Sequence, residues 1–468
     1  MNKMNKAKLN TVLKKHIPFI IVFLMIMLFN GCKDDRTQYM ESKPLSKIEQ
    51  KTTINFIGHW YKEGKREDLV RNFVREYSLI NQEVNINLKF PEEVYYNRED
   101  LYSNRKFVVS VLKEKKPSWD IVRLNSEYFE ISTLLGDPDW PKKYLVDFSE
   151  IEEFRQGTLP ELLTEKAKEE WNGIIPGPYI EGQFWALWCN LNVAKKLGIE
   201  IKQYGMTYSD FLGYIKAVYN YNQRNPSEYI TPIYESADWP TARAIAVQLY
   251  ASLLDSPEEF FLDKITDNRL NAWHKTLEAM EELSKYKPLN PNWQKVNWNN
   301  TTASLLNEEC LFYVNGSWMY NIWENIDPKK TQNCMPAEFP IFGKQTVYPT
   351  MYQVMWGVLK NSPHRDEAVK FLLAMNKPSM AETWVRQTKC PTGIRGNLAD
   401  ISFGKDHFEN FSYHVQTAYK DNSYRYSEKN AWILNNKNED KNLFFNEVIE
   451  GKLTADEAFK KLKQQIGR

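Results

Sequence analysis

Apolar and polar residues alternate through Thr53-Ile54-Asn55-Phe56-Ile57, which predicts a short strand ending at Gly58-His59-Trp60. Leu69, Val70, Phe73, Val74 and Tyr77 then recur at helical spacing and form one face. Val84-Asn85-Ile86-Asn87-Leu88 alternates as a second strand, and Asp120-Ile121-Val122 predicts a third. Ala186 to Asn190 reads as another strand, entered from a turn at Gly177-Pro178. Thr207 is the expected N-cap of a helix that buries Phe211, Leu212, Ile215, Val218 and Tyr219. Helical periodicity returns over 242–254 and 273–283, Gln353 to Leu359 reads as one buried strand, and a helix follows from Arg365 to Met375. Thr454-Ala455-Asp456-Glu457 is a capping box that opens a last helix bearing Ala458, Phe459, Leu462 and Ile466. Strands alternating with helices predict an α/β architecture, whose ligands sit at the loops beyond the strand ends. Trp60 and the segment 123–125 occupy such loops.

The first residues follow a different pattern. Lys3, Lys6, Lys8, Lys14 and Lys15 precede an uncharged run of thirteen residues, Ile17 to Phe29. A membrane-spanning helix needs roughly 20. A basic start, a short apolar core and a small residue before a cleavage point form the pattern of a secretory signal peptide, here residues 1–31. Leu28-Phe29-Asn30-Gly31-Cys32 resembles a bacterial lipobox, which makes Cys32 the expected lipidated N-terminus of the mature chain. Residues 32–52 then read as a polar tether, too poor in apolar groups to offset the entropy of ordering it. The rest of the chain is expected outside the cytoplasmic membrane. Lys33-Asp34-Asp35, similar to a surface-export signal, adds the outer cell surface as a second expectation.

Composition narrows the class. The chain has 61 basic and 60 acidic residues, and removing 1–31 takes away five lysines and no acid, which leaves 56 against 60. That balance provides no electrostatic footprint for a nucleic acid. The mature length suits two compact lobes. The aromatic load is high, with 15 Trp, 26 Tyr and 24 Phe, which points to an aromatic-lined binding surface beyond what a core needs. Cys189, Cys310, Cys334 and Cys390 form no CxxC pair; disulfides in an oxidising compartment could take three connectivities, and buried free thiols are the expectation. There is no GxSxG, HExxH, Walker or dinucleotide-binding glycine motif, and the few histidines lack metal-ligand spacing. The adjacent acids Glu308-Glu309 and Asp34-Asp35 cannot oppose each other as a glycosidase pair must. No enzyme, no metal and no cofactor is therefore expected.

The order of segments resembles the extracellular solute-binding proteins of ABC importers, in particular the carbohydrate-type members similar to maltodextrin-binding proteins. Several blocks carry the resemblance: Ile54 to Tyr77, Trp119-Asp120-Ile121-Val122, Leu145-Val146-Asp147, Tyr179 to Asn190 with Val193 to Ile199, and Thr207-Tyr208-Ser209-Asp210-Phe211. The most specific is Phe312-Tyr313-Val314-Asn315-Gly316-Ser317-Trp318, followed by Asn361 to Ala368 and Cys390-Pro391-Thr392-Gly393. The resemblance implies a two-lobed periplasmic-binding-protein fold, type II-like, with about three chain crossings near 180–187, 348–357 and 389–396. It assigns 53–183 and 354–390 to lobe 1, and 184–353 and 391–468 to lobe 2. Such lobes close on hinges around a ligand. The implied partners are a small carbohydrate, the permease subunits of an ABC importer and, through the lipid, a membrane; the chain is expected as a monomer. A surface glycan-binding lipoprotein uncoupled from an importer is the alternative, and a carbohydrate-active enzyme the less favoured one.

A sugar offers apolar C–H faces and a rim of hydroxyls, which flat rings and planar polar groups satisfy. Trp318, following the Gly316 turn, is the first expected stacking platform, with Trp60 after the first strand. Trp239 with Glu235 and Asp238 forms an acidic and aromatic cluster where the family often reads a sugar. Gln183 and Trp185 lie near the first expected crossing, Tyr352 and Trp356 near the second. Arg123, Asn125 and Arg395 complete the set as hydroxyl ligands. Trp273, Trp293, Trp298 and Trp384 are assigned to packing.

Overall fold

The computed structural model describes residues 51–467 apart from 97–102, 125–127, 238, 240, 256–258, 260–264, 344–346, 349, 397–405, 419–423 and 426–443. Within them two sheets organise the chain. The first is built by β1 (Thr52–Ile57), β2 (Val84–Lys89) and β3 (Ile121–Arg123), with β1 parallel to both neighbours. Their apolar alternation places Ile54, Phe56, Ile86 and Ile121 in one buried core, beneath the helix Lys65–Ile80 that follows β1.

The second sheet forms around β4 (Glu181–Asn190), with β5 (Thr231–Ile233), β6 (Cys310–Gly316) and β7 (Cys334–Ala337) in the order β5-β6-β4-β7. Leu187, Cys189, Phe312 and Met335 of this sheet share a second core with Phe211 and Ile215 of the helix Tyr208–Arg224. Thr207 caps that helix in a reciprocal box with Asp210, as its sequence predicts. Thr454 and Glu457 do the same for Ala455–Gln465. Beyond β8 (Val347–Tyr348) comes β9 (Thr350–Gln353), which pairs with the first half of β4, whereas β6 and β7 pair with the second half. This explains why β4 begins at Glu181, well before the expected Ala186.

The expected single strand Gln353–Leu359 is divided. β9 ends at Gln353, Val354 and Met355 are buried between, and β10 (Trp356–Val358) joins the first sheet antiparallel to β3. One apolar run thus passes from one sheet to the other and is covered at both, so hydropathy alone could not show the break. The helices Arg365–Met375 and Pro378–Thr388 return against the first sheet's core. Cys189, Cys310, Cys334 and Cys390 are free and buried. Among the described residues no helix is long and apolar enough to cross a membrane.

Candidate functional site

β4 supplies the axis of the site. Glu181, Gln183 and Trp185 alternate to one side of it, two residues apart, so the Cα atoms of Glu181 and Trp185 stand about 13 Å apart along the strand. Glu181, at the start of β4, and Trp185, at its middle, each gather their own neighbours.

Around Trp185 three half-buried indoles meet. Trp185 and Trp239 stack at 4.8 Å with an interplanar angle of 26°. Trp318 stands edge-on to both, at 6.4 Å from Trp185 and 5.9 Å from Trp239. Local sequence accounts for each placement. Trp185 lies across from Gly316 in the β4–β6 ladder. Because Gly316 has no side chain, the Trp318 ring folds back over it; a Cβ there would sit 1.8 Å from the ring. Ser317 fixes the turn by donating its backbone N–H to the Phe184 carbonyl at 2.8 Å. Trp239 follows β5 on a turn closed by Ser236, and its indole N–H donates to the Val314 carbonyl at 3.0 Å. That bond satisfies the polar edge of Trp239 and leaves its face to Trp185. Trp185 and Trp318 donate their indole N–H to no acceptor among the described residues, and both keep some exposure. They therefore combine an apolar face with an open donor.

Around Glu181 the groups are charged and buried. Arg66, from the first turn of Lys65–Ile80, donates to Glu181 at 2.7 Å, and both side chains are almost completely covered. Trp60 donates its indole N–H to the other oxygen of Glu181 at 3.3 Å. Arg66 also donates to the Cys390 sulfur, and the Cys390 thiol donates to Ser317 Oγ, each at 3.4 Å. This chain of contacts joins the helix after β1, the start of β4 and the residue beside Trp318. Glu63 stands 3.6 Å from Arg66; burial pushes its carboxyl up to about 7, against the opposing pull of Arg66. Burial, with Arg123 and then Arg66 nearby, holds His59 well below the usual imidazole range.

The structure separates the expected site residues into groups. It brings Trp318, Trp239 and Trp185 together, with Gln183 buried next along β4. It seals Trp60 and Trp356 in the first core, at 1% and 0% exposure, where they pack on each other at 5.3 Å. Neither can present a face to a ligand there. Glu235 is fully buried and accepts the backbone N–H groups of Ser236, Thr241 and Ala242. It caps the helix Thr241–Ala251 instead of facing a ligand, and burial raises its carboxyl to about 7 despite those donors. Arg395 is exposed and donates through Nε to the Thr158 carbonyl at 2.8 Å. Tyr352 is half-buried on β9 opposite Gly182, and Arg123 is half-buried at the end of β3. Asp238 and Asn125 lie outside the described residues. The sequence reading missed Arg66, Glu181, His59 and Glu63. The available signal was Glu181, the one acid in the otherwise uncharged stretch from Tyr179 to Asn190. Among the described residues no group of His, Cys, Asp or Glu could hold a metal ion.

The fold agrees with the comparisons. The sequence model of the bacterial extracellular solute-binding proteins matches residues 134–382, and the chain belongs to that family. Among solved structures, the GacH receptor of Streptomyces glaucescens has a TM-score of 0.62 at 14% identity, covering 89% of this chain and 97% of that one. The ABC substrate-binding protein Lmo0181 from Listeria monocytogenes, solved with cycloalternan, has a TM-score of 0.60 at 14% identity, covering 89% and 99%. Maltose-bound MalE3 of T. maritima has 0.59 at 12%, with the same coverage. At these identities the likeness is one of fold. No curated protein matches the sequence.

Proposed function

We propose that this protein is a lipid-anchored extracytoplasmic receptor that captures an oligosaccharide between its lobes for delivery to an ABC importer. The observation that carries the reading is the meeting of Trp185, Trp239 and Trp318, two of them with open indole donors. Such a corner suits a pyranose, whose C–H face covers one ring while its hydroxyls accept from the N–H at the ring edge. Cycloalternan in Lmo0181 and maltose in MalE3 support a saccharide as the ligand class. The anchor rests on Cys32 and the residues before it, outside the described part of the chain. Ligand energy closes the lobes rather than lowering a reaction barrier, so the bound saccharide leaves unchanged.

A thermal-shift screen over mono- and oligosaccharides tests the reading. A ligand that binds only the folded form raises its stability by about 2.7 kcal/mol at a hundred times its Kd. At least one oligosaccharide should raise Tm in the wild type and much less in Trp318→Ala. Cleavage products in the same incubations, or no saccharide giving a shift, would contradict it.

A further inference from the structure

Among the described residues, the charged end of the site has one guanidinium, that of Arg123, that no ion pair balances. Arg66 is neutralised by Glu181 at 2.7 Å, with Glu63 on the same guanidinium at 3.6 Å. Arg123, the last residue of β3, lies close enough to His59 and Glu63 to shift both, yet its side chain makes no hydrogen bond and no ion pair among the described residues. Its Nε is closed off from solvent and donates to nothing. A guanidinium holds five N–H donors in a fixed plane and stays charged at any working pH. Half-burying one without a partner is costly, and native proteins avoid it unless something else completes the set. The nearby described groups do not. His59 is neutral at neutral pH because burial and the two arginines oppose its proton. Glu63 is partly protonated there, for the reasons given above. The position is also right for a ligand, since β1 and β3 are parallel and their C-terminal ends lie at the same edge of the sheet.

Building on the saccharide reading above, we propose that the ligand is acidic, and that Arg123 receives the carboxylate of a uronic acid unit while the indoles around Trp185, at the middle of β4, hold the saccharide chain. A planar carboxylate matches the guanidinium fork with two parallel N–H···O bonds. His59 and the protonated fraction of Glu63 add neutral donors for the remaining lone pairs. Recognition of this kind is selective, because a neutral saccharide leaves the half-buried Arg123 without a counter-charge and its Nε shielded and unbonded.

The test is calorimetric titration of the full mature chain with digalacturonic acid and with its neutral counterpart, galactobiose, each alongside longer oligomers of the same linkage. Glucuronic-acid-bearing xylo-oligosaccharides and their unsubstituted forms make a second matched set. In the wild type, one acidic series should bind at least about tenfold tighter than its neutral partner. Arg123→Gln should erase that preference while the neutral series changes little. Should Arg123→Gln fail to fold, the wild type still decides, since the preference must shrink as salt rises from low to physiological concentration. Equal affinity for both members of each set, a preference untouched by salt, or one that survives in Arg123→Gln would overturn the assignment to Arg123. If neutral saccharides bind and acidic ones do not gain, only this inference falls. If no saccharide binds, the receptor reading falls with it.

Discussion

Glu181 at the start of β4 and Trp185 at its middle lie on one side of the strand and differ in almost everything else. At Glu181 the neighbours are Arg66, Trp60 and Cys390, all buried, and their polar atoms bond to one another apart from Arg66 Nε, which has no partner among the described residues. At Trp185 the neighbours are Trp239 and Trp318, both half-buried, and their faces lie against one another or open to solvent. Physics explains the division. An ion pair away from water must be fully matched, or its desolvation outweighs its attraction. An indole loses little by staying partly exposed and gains area whenever a partner covers it. The matched end is therefore suited to hold structure, the open end to receive a guest. Arg123 stands at the charged end but resembles the open one, with a guanidinium Nε that is closed off from solvent and donates to nothing.

The largest effect should come from breaking the matched end. Glu181→Ala leaves Arg66 buried and uncompensated, and denaturant unfolding should show a loss of about 3–5 kcal/mol. A loss below about 1 kcal/mol would mean that the pair is solvated and the contrast between the ends is false. Next comes the open end. Trp318→Ala should cost about 2 kcal/mol of saccharide affinity, roughly thirtyfold, with a smaller change in stability. Gly316→Ala acts on the same ring without removing it, because the new methyl occupies the space of the Trp318 indole. A drop of about tenfold in affinity, with an altered near-ultraviolet dichroism of the indole cluster, is expected.

A smaller effect concerns proton binding. The Glu63 carboxyl rises from 4.5 to about 7 in the folded chain, so the native state holds its proton more tightly than the unfolded state. Stability from this group is complete below pH 4.5 and is lost as pH rises through 7. Glu63→Gln should flatten that fall, seen as a shallower decline of Tm between pH 5 and 8 than in the wild type. The smallest effect is assigned to Lys65, one residue from Arg66. Its ion pair with Glu324 is short, 2.6 Å, but exposed, at 45% and 27% for the two side chains. Lys65→Ala should cost less than about 1 kcal/mol, and the difference from Glu181→Ala measures what burial adds.

Much of the fold was legible because it rests on local rules. The alternation in β1 and β2, the Thr207 and Thr454 caps, and the turn at Gly316 act within a few residues of themselves. The indole corner was legible in part: Trp318 through the Gly316-Ser317-Trp318 turn, Trp185 and Trp239 through their place near strand ends. What sequence could not separate was exposure. Trp60 and Trp318 both follow a strand, yet a carboxylate 121 residues away draws Trp60 inward. Glu235 has the chemistry of a hydroxyl ligand, but the nearest unsatisfied donors are the backbone N–H groups of its own helix start. The Arg66–Glu181 pair spans 115 residues, and in sequence Arg66 is one charge among several on a solvated helix turn.

The central claim is that a saccharide ring lies in the corner formed by Trp185, Trp239 and Trp318. The most direct measurement is a crystal structure of the chain with whichever oligosaccharide stabilises it most. A pyranose face within about 4 Å of the Trp318 or Trp185 ring, with hydroxyls on their indole N–H groups, is the predicted result. A sugar bound elsewhere, with these three rings unmoved and uncovered, would contradict it.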